Sequence, residues 1–319
     1  MAQGGTAWRG ADRIGHVAVV GAGLIGSGWV AAYAASGRSV AVYDPAPDAA
    51  EKVRAHVERC LKDLSQLGHE AAPGALSFHT DLAEAVAGAD FVQENAPERP
   101  EMKAALFAEL DRLLPPDVIV ASSTSSLPIS ELAASCPVGA RFVLGHPFNP
   151  VHLMPLVELG GGERTDPAAI DAAQAFYVSM GKEPVRLNQE IFGHIANRLT
   201  SAMFREAVSL VASGAASVED VDKAIRYGPA LKWAIQGQFT TFHTSGGEGG
   251  LANFLEHFSP GIMKRWSTIE TPDLMDPALR AKLAEQIAQA NSGRTVAEIA
   301  AHQDAALLKL LQILGNSDE

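Results

Sequence analysis

Two patterns of hydrophobic residues divide the chain. From residue 16 to about residue 190, short runs rich in Val and Ile alternate with longer segments in which apolar residues recur every three or four positions. This alternation is typical of parallel strands joined by helices, so it predicts a doubly wound, mostly parallel α/β sheet. After about residue 190 the β-branched runs disappear and helical spacing remains. The second part of the chain is therefore predicted to be an all-helical domain.

The spacing also predicts individual elements. Strands are expected at 17–20, 39–43, 76–79, 90–94, 118–121, 141–145, 156–159 and 184–187. Helices are expected at 27–36, 47–66, 82–87, 101–113, 167–180, 196–213, 217–226, 276–290 and 295–313, the last with a capping box at its start. Residues 227–261 are rich in Gly and aromatic residues and are too irregular for one long helix. Residues 1–12 are Gly-rich and polar, and we expect a disordered lead-in there.

A glycine-rich turn follows the first predicted strand and reads Gly21-Ala-Gly23-Leu24-Ile25-Gly26. Between a strand and a helix this motif is typical of dinucleotide binding by a Rossmann-type domain. The first Gly permits the turn, the second lets the backbone approach the pyrophosphate, and the third lets the helix pack closely. The helix N-terminus offers N–H groups and the positive end of its dipole to the diphosphate.

Asp44 closes the second strand, eighteen residues after the third Gly of that turn. A carboxylate there can accept hydrogen bonds from the adenosine ribose. The residues that follow, Pro-Ala-Pro-Asp, include no base that could neutralise a 2′-phosphate. We therefore expect NAD rather than NADP, held by a domain that spans residues 13–190 and is followed by a helical domain at 191–319.

Composition limits the possible partners. The 319 residues carry a net charge of −12, and 47% of them are hydrophobic. Nucleic acid and anionic membrane surfaces require a basic surface, and no apolar run is long enough for a membrane span or a signal peptide. Two cysteines, Cys60 and Cys136, suggest neither a disulfide framework nor a metal site. We therefore expect a cytoplasmic protein without a metal site and with neither nucleic acid nor membrane as a partner.

His146 follows a predicted strand and is a candidate general base. A neutral imidazole can take the proton that an alcohol loses when it is oxidised. Glu158, twelve residues later, could fix the tautomer of the ring and stabilise the imidazolium. On local sequence alone, His146 could equally be a structural histidine in a turn, and Glu158 a solvated acid.

Three further polar residues lie at predicted strand ends or at a helix start: Ser125, Asn149 and Asn197. Hydroxyl and amide groups could orient the substrate oxygen or the nicotinamide carboxamide. Ser and Asn also favour N-caps and turns, and from the residues alone this structural interpretation is favoured.

The order and spacing of these motifs resemble the 3-hydroxyacyl-CoA dehydrogenase family from about residue 14 to the end of the chain. The resemblance implies that His146 is the base, that Glu158 is its partner and that Asn149 supports the histidine. It also implies substrate contacts from Ser125 and Asn197, and a homodimer formed through the helical domain. Cofactor contacts are implied for Glu98 and Lys103 at the nicotinamide ribose, and for Ser125 and Asn149. The matching series is Gly21–Gly26, Pro97-Glu98…Lys103, Ser123–Leu127, His146–Pro150, Leu156–Glu158 and Ala196–Leu199.

Residues 226–258 depart from the CoA-specific members of that family. They resemble the branch that holds L-carnitine dehydrogenases and, more distantly, lambda-crystallin-type L-gulonate 3-dehydrogenases, which act on free 3-hydroxy acids. Carnitine carries a trimethylammonium group, which aromatic faces attract through cation–π interaction. Trp233, Phe239 and Phe242 are therefore candidate walls of a substrate site, although they could equally be core aromatics.

The resemblance thus implies NAD-dependent oxidation of an L-3-hydroxy acid, with L-carnitine and 3-dehydrocarnitine as the preferred substrate and product. Two other substrates stay open at this point, namely L-gulonate and an L-3-hydroxyacyl-CoA such as 3-hydroxybutyryl-CoA. A non-enzymatic alternative is a crystallin-like NAD-binding protein without turnover. The presence of both His146 and Glu158 disfavours it, because a retired enzyme has no need of its base.

Overall fold

The computed structural model describes residues 7–68 and 74–315 of the 319-residue chain. Two compact units are present. The first extends to Asn197 and also includes Asp304–Ile313. The second comprises Arg198–Gln303 together with Leu314 and Gly315.

An eight-stranded sheet forms the centre of the first unit, with the strand order β3-β2-β1-β4-β5-β6-β7-β8. All neighbouring strands are parallel except β6 and β7, which are antiparallel. This confirms the predicted mostly parallel, doubly wound sheet. The central strands read as continuous apolar runs because helices cover both faces of the sheet. The strands are β1 (His16–Val20), β2 (Ser39–Tyr43), β3 (Leu76–His79), β4 (Phe91–Glu94), β5 (Ile119–Ser122), β6 (Phe142–Pro147), β7 (Leu156–Gly161) and β8 (Glu183–Arg186).

Helices cover the two faces of the sheet and bury separate hydrophobic clusters. Trp29, Tyr33 and Phe176 belong to one cluster, and Phe107 and Leu110 belong to the other. Local sequence fixes several helix starts, since the Asp81 and Asp166 side chains accept N-cap hydrogen bonds. The helices of this unit are α1 (Leu24–Ala35), α2 (Ala49–Gln66), α3 (Leu82–Val86), α4 (Pro100–Leu113), α5 (Ile129–Leu132) and α6 (Pro167–Val178).

The remainder of the described chain is helical, as predicted. The Thr295 hydroxyl accepts from the Glu298 N–H at 3.2 Å, and the Glu298 carboxylate accepts from the Thr295 N–H at 2.8 Å, so the predicted capping box is present. The irregular stretch between 227 and 261 contains two short helices and the start of a third. The helices are α7 (Ala196–Ala212), α8 (Val218–Tyr227), α9 (Pro229–Trp233), α10 (Gln238–Ser245), α11 (Gly250–Trp266), α12 (Pro277–Ala290) and α13 (Val296–Gly315).

The prediction of a disordered lead-in at residues 1–12 is wrong for its second half. The Trp8 indole donates to Asp166 at 2.9 Å, and the Arg9 guanidinium binds Asp117 at 3.0 Å and also pairs with Asp90. A half-buried indole and a cation between two carboxylates hold this segment, which local composition alone does not reveal. Residues 1–6 lie outside the described residues.

Cys60 and Cys136 are both buried and unbonded to each other. Burial raises the pKa of the Cys60 thiol to about 12, so this thiol is unreactive at neutral pH. Among residues 7–68 and 74–315, no helix has the length and apolar character needed to cross a membrane.

Candidate active site

The glycine-rich turn lies where the strand order reverses. β1 pairs with β2 on one side and with β4 on the other, and all three strands are parallel. In open α/β sheets, ligands bind at the carboxyl ends of strands at such a switch point. The turn after β1 and the segments after β4 and β5 therefore border one candidate site.

The three glycines occupy geometries that suit their expected roles. Gly21 has a φ of +91°, which a larger residue rarely adopts. A Cβ atom on Gly26 would lie 1.9 Å from the Gly21 carbonyl oxygen, whereas one on Gly23 would meet no heavy atom within 4 Å. Leu24 and Ile25 then begin α1. The open space at Gly23, beside the N–H groups of a helix start, fits a dinucleotide pyrophosphate.

Asp44 joins the end of β2 to this turn. Its carboxylate accepts from the Ala22 N–H at 2.8 Å and from the Ala46 N–H at 2.9 Å. It also lines a cavity of about 250 Å³, whose lining residues include Glu84 but neither Lys nor Arg. A pocket that is lined by two carboxylates and by no Lys or Arg suits an unphosphorylated adenosine ribose, and thus NAD rather than NADP.

The predicted His146–Glu158 pair is formed. The two residues are direct partners across the antiparallel strands β6 and β7, and His146 Nδ1 lies 2.8 Å from Glu158 Oε2. The twelve-residue interval between them corresponds to a short connection between β6 and β7. Because the two residues are directly opposite each other, their side chains lie on one face of the sheet. Both residues are buried, with His146 7% and Glu158 1% exposed.

Glu158 is held in its ionised form. Its second oxygen accepts from the Ile195 N–H at 2.7 Å and from the Ala196 N–H at 2.9 Å. Burial alone would raise the pKa of Glu158, but the hydrogen bonds from His146 and these N–H groups outweigh it and lower the pKa. Because an ionised carboxylate only accepts, His146 Nδ1 carries the hydrogen, and Nε2 is left as the proton acceptor.

A buried amide lies behind the histidine. Gln93 Oε1 accepts from the Tyr33 hydroxyl at 2.8 Å and from the Tyr177 hydroxyl at 2.6 Å. Its amide nitrogen donates to Ser123 Oγ at 2.9 Å and to the Gly145 carbonyl at 3.2 Å. A Cβ on Gly145 would lie 2.5 Å from the Tyr177 hydroxyl. This network fixes the peptide that precedes His146.

Glu98 organises the loop that follows β5. One of its oxygens accepts from Thr124 Oγ1 at 2.7 Å and from the N–H groups of Ser125 and Ser126 at 2.9 and 3.1 Å. The Ser125 hydroxyl binds the same oxygen at 3.2 Å. Burial would raise the pKa of Glu98, but these hydrogen bonds and the charge of Lys103 lower it. The loop that carries Ser125 is thus anchored on a carboxylate.

Lys103 lies beneath this loop rather than at its surface. Its Nζ atom is 2.8 and 2.9 Å from the two oxygens of Glu94 and 3.6 Å from Glu98 Oε2. Lys103 is 1% exposed, and Glu94 is fully buried. The resemblance implied a cofactor contact from Lys103, but here its ammonium group is occupied by carboxylates.

The two asparagines are placed differently. Asn149 is exposed, and its side chain forms no hydrogen bond with His146 or another described residue. Asn197 is half-buried in the first turn of α7, one residue after the Ala196 N–H that binds Glu158.

The aromatic candidates lie in the second unit. Phe242 stacks on Phe254 with 4.6 Å between ring centroids, which is a packing role in the helical core. Phe239 is 78% exposed, and Trp233 is half-buried at the end of α9. In the described part of the chain, neither of these two rings stacks on Phe242. Phe242 is thus engaged in packing, whereas Phe239 presents its ring to solvent.

His194 is a residue of this region that the sequence analysis missed. It is 4% exposed, its Nε2 lies 3.0 Å from the Thr124 carbonyl oxygen, and its ring centroid is 5.2 Å from that of His146. Its φ of +50° is uncommon for a residue other than Gly. The available signal was its position, since it lies two residues before the start of the helix that carries Asn197.

Comparison with known proteins identifies the family. The model for the 3-hydroxyacyl-CoA dehydrogenase NAD binding domain matches residues 16–191, and the model for the C-terminal domain of the same enzymes matches residues 193–292. The chain belongs to the 3-hydroxyacyl-CoA dehydrogenase family and is an NAD-dependent dehydrogenase that acts on a CH–OH group. The family resemblance, the enzyme class and the cofactor predicted from the sequence are confirmed.

Individual relatives match almost the whole chain. L-Carnitine dehydrogenase from Streptomyces coelicolor is 43% identical over 306 residues, which cover 95% of this chain and 96% of the relative. L-Carnitine dehydrogenase from Nocardiopsis dassonvillei is 44% identical over 305 residues, which cover 95% and 92%. Among solved structures, an NAD+-dependent dismutase, 5-formyl-3-hydroxy-2-methylpyridine 4-carboxylic acid 5-dehydrogenase, aligns with a TM-score of 0.82 at 29% identity, covering 95% of this chain and 99% of that chain.

Proposed function

We propose that this protein oxidises the 3-hydroxyl group of L-carnitine to give 3-dehydrocarnitine, with NAD+ as the acceptor. The observation that carries the reaction type is the 2.8 Å contact between His146 Nδ1 and Glu158 Oε2 at the end of β6. The choice of substrate is supported by relatives named L-carnitine dehydrogenase that are about 40% identical over nearly the whole chain.

In the proposed reaction the substrate alcohol loses a hydride and a proton and becomes a ketone. Bound NAD+ supplies the hydride acceptor. His146 Nε2 takes the hydroxyl proton, and Glu158 remains ionised and stabilises the resulting imidazolium. Because Nδ1 is already bonded to Glu158, no rotation of the ring is needed before the proton is accepted.

The remaining residues are given positioning and binding roles in this proposal. Gly21, Gly23, Leu24, Ile25 and Gly26 hold the pyrophosphate, and Asp44 holds the adenosine ribose. Glu98 holds the nicotinamide ribose, while Lys103 acts indirectly by fixing Glu98 and Glu94. Ser125 and Asn197 bind the substrate hydroxyl, and Asn149 contacts the cofactor. We propose domains at 13–190 and 191–319, a division that the family boundary between 191 and 193 supports.

The substrate assignment is tested by steady-state kinetics with the purified protein and NAD+. Formation of NADH is followed with L-carnitine, D-carnitine, L-gulonate and 3-hydroxybutyryl-CoA. We expect the highest kcat/KM with L-carnitine, and D-carnitine serves as the matched control because it presents the hydroxyl with the opposite hand. Reduction of NAD+ by the CoA thioester alone would exclude the proposed substrate.

A second candidate substrate is a carboxylated pyridine aldehyde. It is favoured by the TM-score of 0.82 to the 5-formyl-3-hydroxy-2-methylpyridine 4-carboxylic acid 5-dehydrogenase structure. The same assay includes this aldehyde, and a kcat/KM above that of L-carnitine would favour it instead.

We also propose that the protein is a cytoplasmic homodimer formed through the second unit. Large apolar side chains of this unit are exposed, including Ile235, Phe239 and Trp266 at 78%, 78% and 64%. Helices α7, α8 and α12 line an apolar groove of about 420 Å³. Exposed apolar surface of this extent marks interaction sites.

The proposed location in the cytoplasm is supported by the cysteines. Both thiols are buried and form no disulfide, which suits a reducing compartment.

Substitution in this groove tests the dimer. Phe204 lines the groove and is 54% exposed, so a charge there would be buried in the proposed interface. We expect Phe204→Glu to sediment as a monomer and the wild type as a dimer. Val178→Glu, at an equally exposed position of the first unit, is the control and should remain dimeric. A dimer that survives Phe204→Glu would place the interface elsewhere.

A further inference from the structure

His194 has a strained backbone at a buried position next to the catalytic pair. A φ of +50° lies in the left-handed region, which residues other than Gly seldom adopt. Such conformations persist only where the surrounding structure determines them, and they cluster at functional sites. His194 is 4% exposed, so contact with water does not account for a polar side chain at this position. Its ring lies 5.2 Å from that of His146, which points to a role in the site.

The segment around His194 joins two parts of the site. On one side, the His194 Nε2–H donates to the carbonyl of Thr124, whose hydroxyl binds Glu98. On the other side, the next two residues present their N–H groups to Glu158. The left-handed backbone conformation at His194 therefore fixes the position of the loop that carries Ser125 relative to Glu158, the partner of His146.

The bond to Thr124 also defines the protonation of the ring. A carbonyl only accepts, so Nε2 carries the hydrogen and Nδ1 is the unprotonated nitrogen. This Nδ1 atom is buried and has no hydrogen-bond partner among the described residues. A second proton would have to enter at that atom, in an enclosed environment.

The surroundings of the ring decide whether this second proton binds. Burial lowers the pKa of His194, and the charge that His146 can carry lowers it further, whereas the Thr124 carbonyl and the carboxylates of Glu158 and Glu98 oppose this. Glu190 lines the small cavity beside the ring, but its carboxylate binds the Ser130 N–H and hydroxyl. The net effect favours a neutral ring at neutral pH.

We infer that His194 is a positioning residue of the dehydrogenase reaction, and that it must be uncharged while His146 accepts the substrate proton. This inference rests on the proposed role of His146. A positive His194 ring about 5 Å away would oppose the charge that His146 gains, by roughly a hundredfold in rate at an effective dielectric constant of about 20. Oxidation should therefore require that both histidines are deprotonated.

The pH dependence of kcat/KM tests this in the wild type, His194→Asn and His194→Phe. Asn tolerates a positive φ and keeps an N–H donor for Thr124, whereas Phe preserves the ring volume and removes the donor. The wild type should show an acid limb that approaches a slope of two, and both variants a slope of one. Near pH 8, we expect His194→Asn to keep kcat within a few-fold and His194→Phe to lose about tenfold.

Three results of this experiment would overturn the inference, two in the slopes and one in kcat. The first two are a slope of one in the wild type and a slope of two that persists without His194. The third is a kcat of His194→Phe equal to that of the wild type, which would remove the positioning role. Circular dichroism of each variant separates loss of folding from loss of rate.

A measurement without substrate keeps the inference distinct from the proposed function. Imidazole signals are titrated by NMR in the wild type and in His146→Gln. The His194 signal should titrate below the ordinary histidine value of about 6.5, and at higher pH once the like charge at 146 is removed. An unmoved His194 titration contradicts the inference, whereas failure of every tested substrate would contradict only the proposed function.

Discussion

His146→Ala is expected to lower kcat by roughly 10²- to 10⁴-fold while NAD+ affinity changes little. Among the described residues, His146 is the group hydrogen-bonded to Glu158 that can accept a proton at neutral pH, and the variant removes it. The cofactor groups at Gly21–Gly26 and Asp44 form their contacts without His146, so binding of NAD+ should persist. The measurements are steady-state kinetics with the best substrate of the panel and fluorescence titration with NADH.

A second histidine provides the matched control. His152 is also buried and also bonded to a carboxylate, with its Nε2 3.2 Å from Asp63 Oδ2, but that carboxylate lies on α2 and not on a strand of the sheet. We expect His152→Ala to retain kcat within a few-fold once its folding is verified. Equal losses in the two variants, or an active His146→Ala enzyme, would contradict the assignment of His146 as the base.

The parts of the site that could be predicted are those that local sequence determines. The turn at Gly21–Gly26 requires a backbone conformation and close approaches that only glycine allows, so the glycine spacing itself predicts the turn. Local sequence left the roles of His146 and Glu158 open, and the family resemblance implied their pairing. The antiparallel register of two adjacent strands brings these residues, twelve apart in sequence, to face each other. Strands and helices were found because their hydrophobic periods differ.

The parts that could not be predicted depend on contacts between residues distant in sequence. The bond from His194 to Thr124 spans seventy positions, and no local pattern signals a positive φ at a histidine. Lys103 was expected at the cofactor because its motif resembles that of the family, yet its buried pairing with Glu94 emerges only when α4 packs on the sheet. Composition likewise missed Arg9, whose two carboxylate partners are brought together only by folding.

The paired charges of Lys103 and Glu94 lead to the second large effect. Lys103→Met is expected to destabilise the protein by about 3–5 kcal/mol, because it leaves the fully buried carboxylate of Glu94 without its counter-charge. The hydrogen bonds that Glu94 accepts from the Ala96 N–H at 2.6 Å and from the Ser122 hydroxyl at 2.5 Å do not replace that charge. The free energy of unfolding is obtained from urea denaturation of the wild type and the variant.

Two further variants separate the buried charge from the loss of a side chain. Glu94→Gln combined with Lys103→Met removes both charges, so most of the lost stability should return, and the two substitutions should be strongly non-additive. Lys62→Met breaks an exposed pair with Glu58 and should leave the urea midpoint nearly unchanged. If the double variant were as unstable as Lys103→Met, packing by the lysine stem rather than its charge would account for the effect. Restored stability without restored turnover would then show that this pair also sets Glu98 and the Ser125 loop for catalysis.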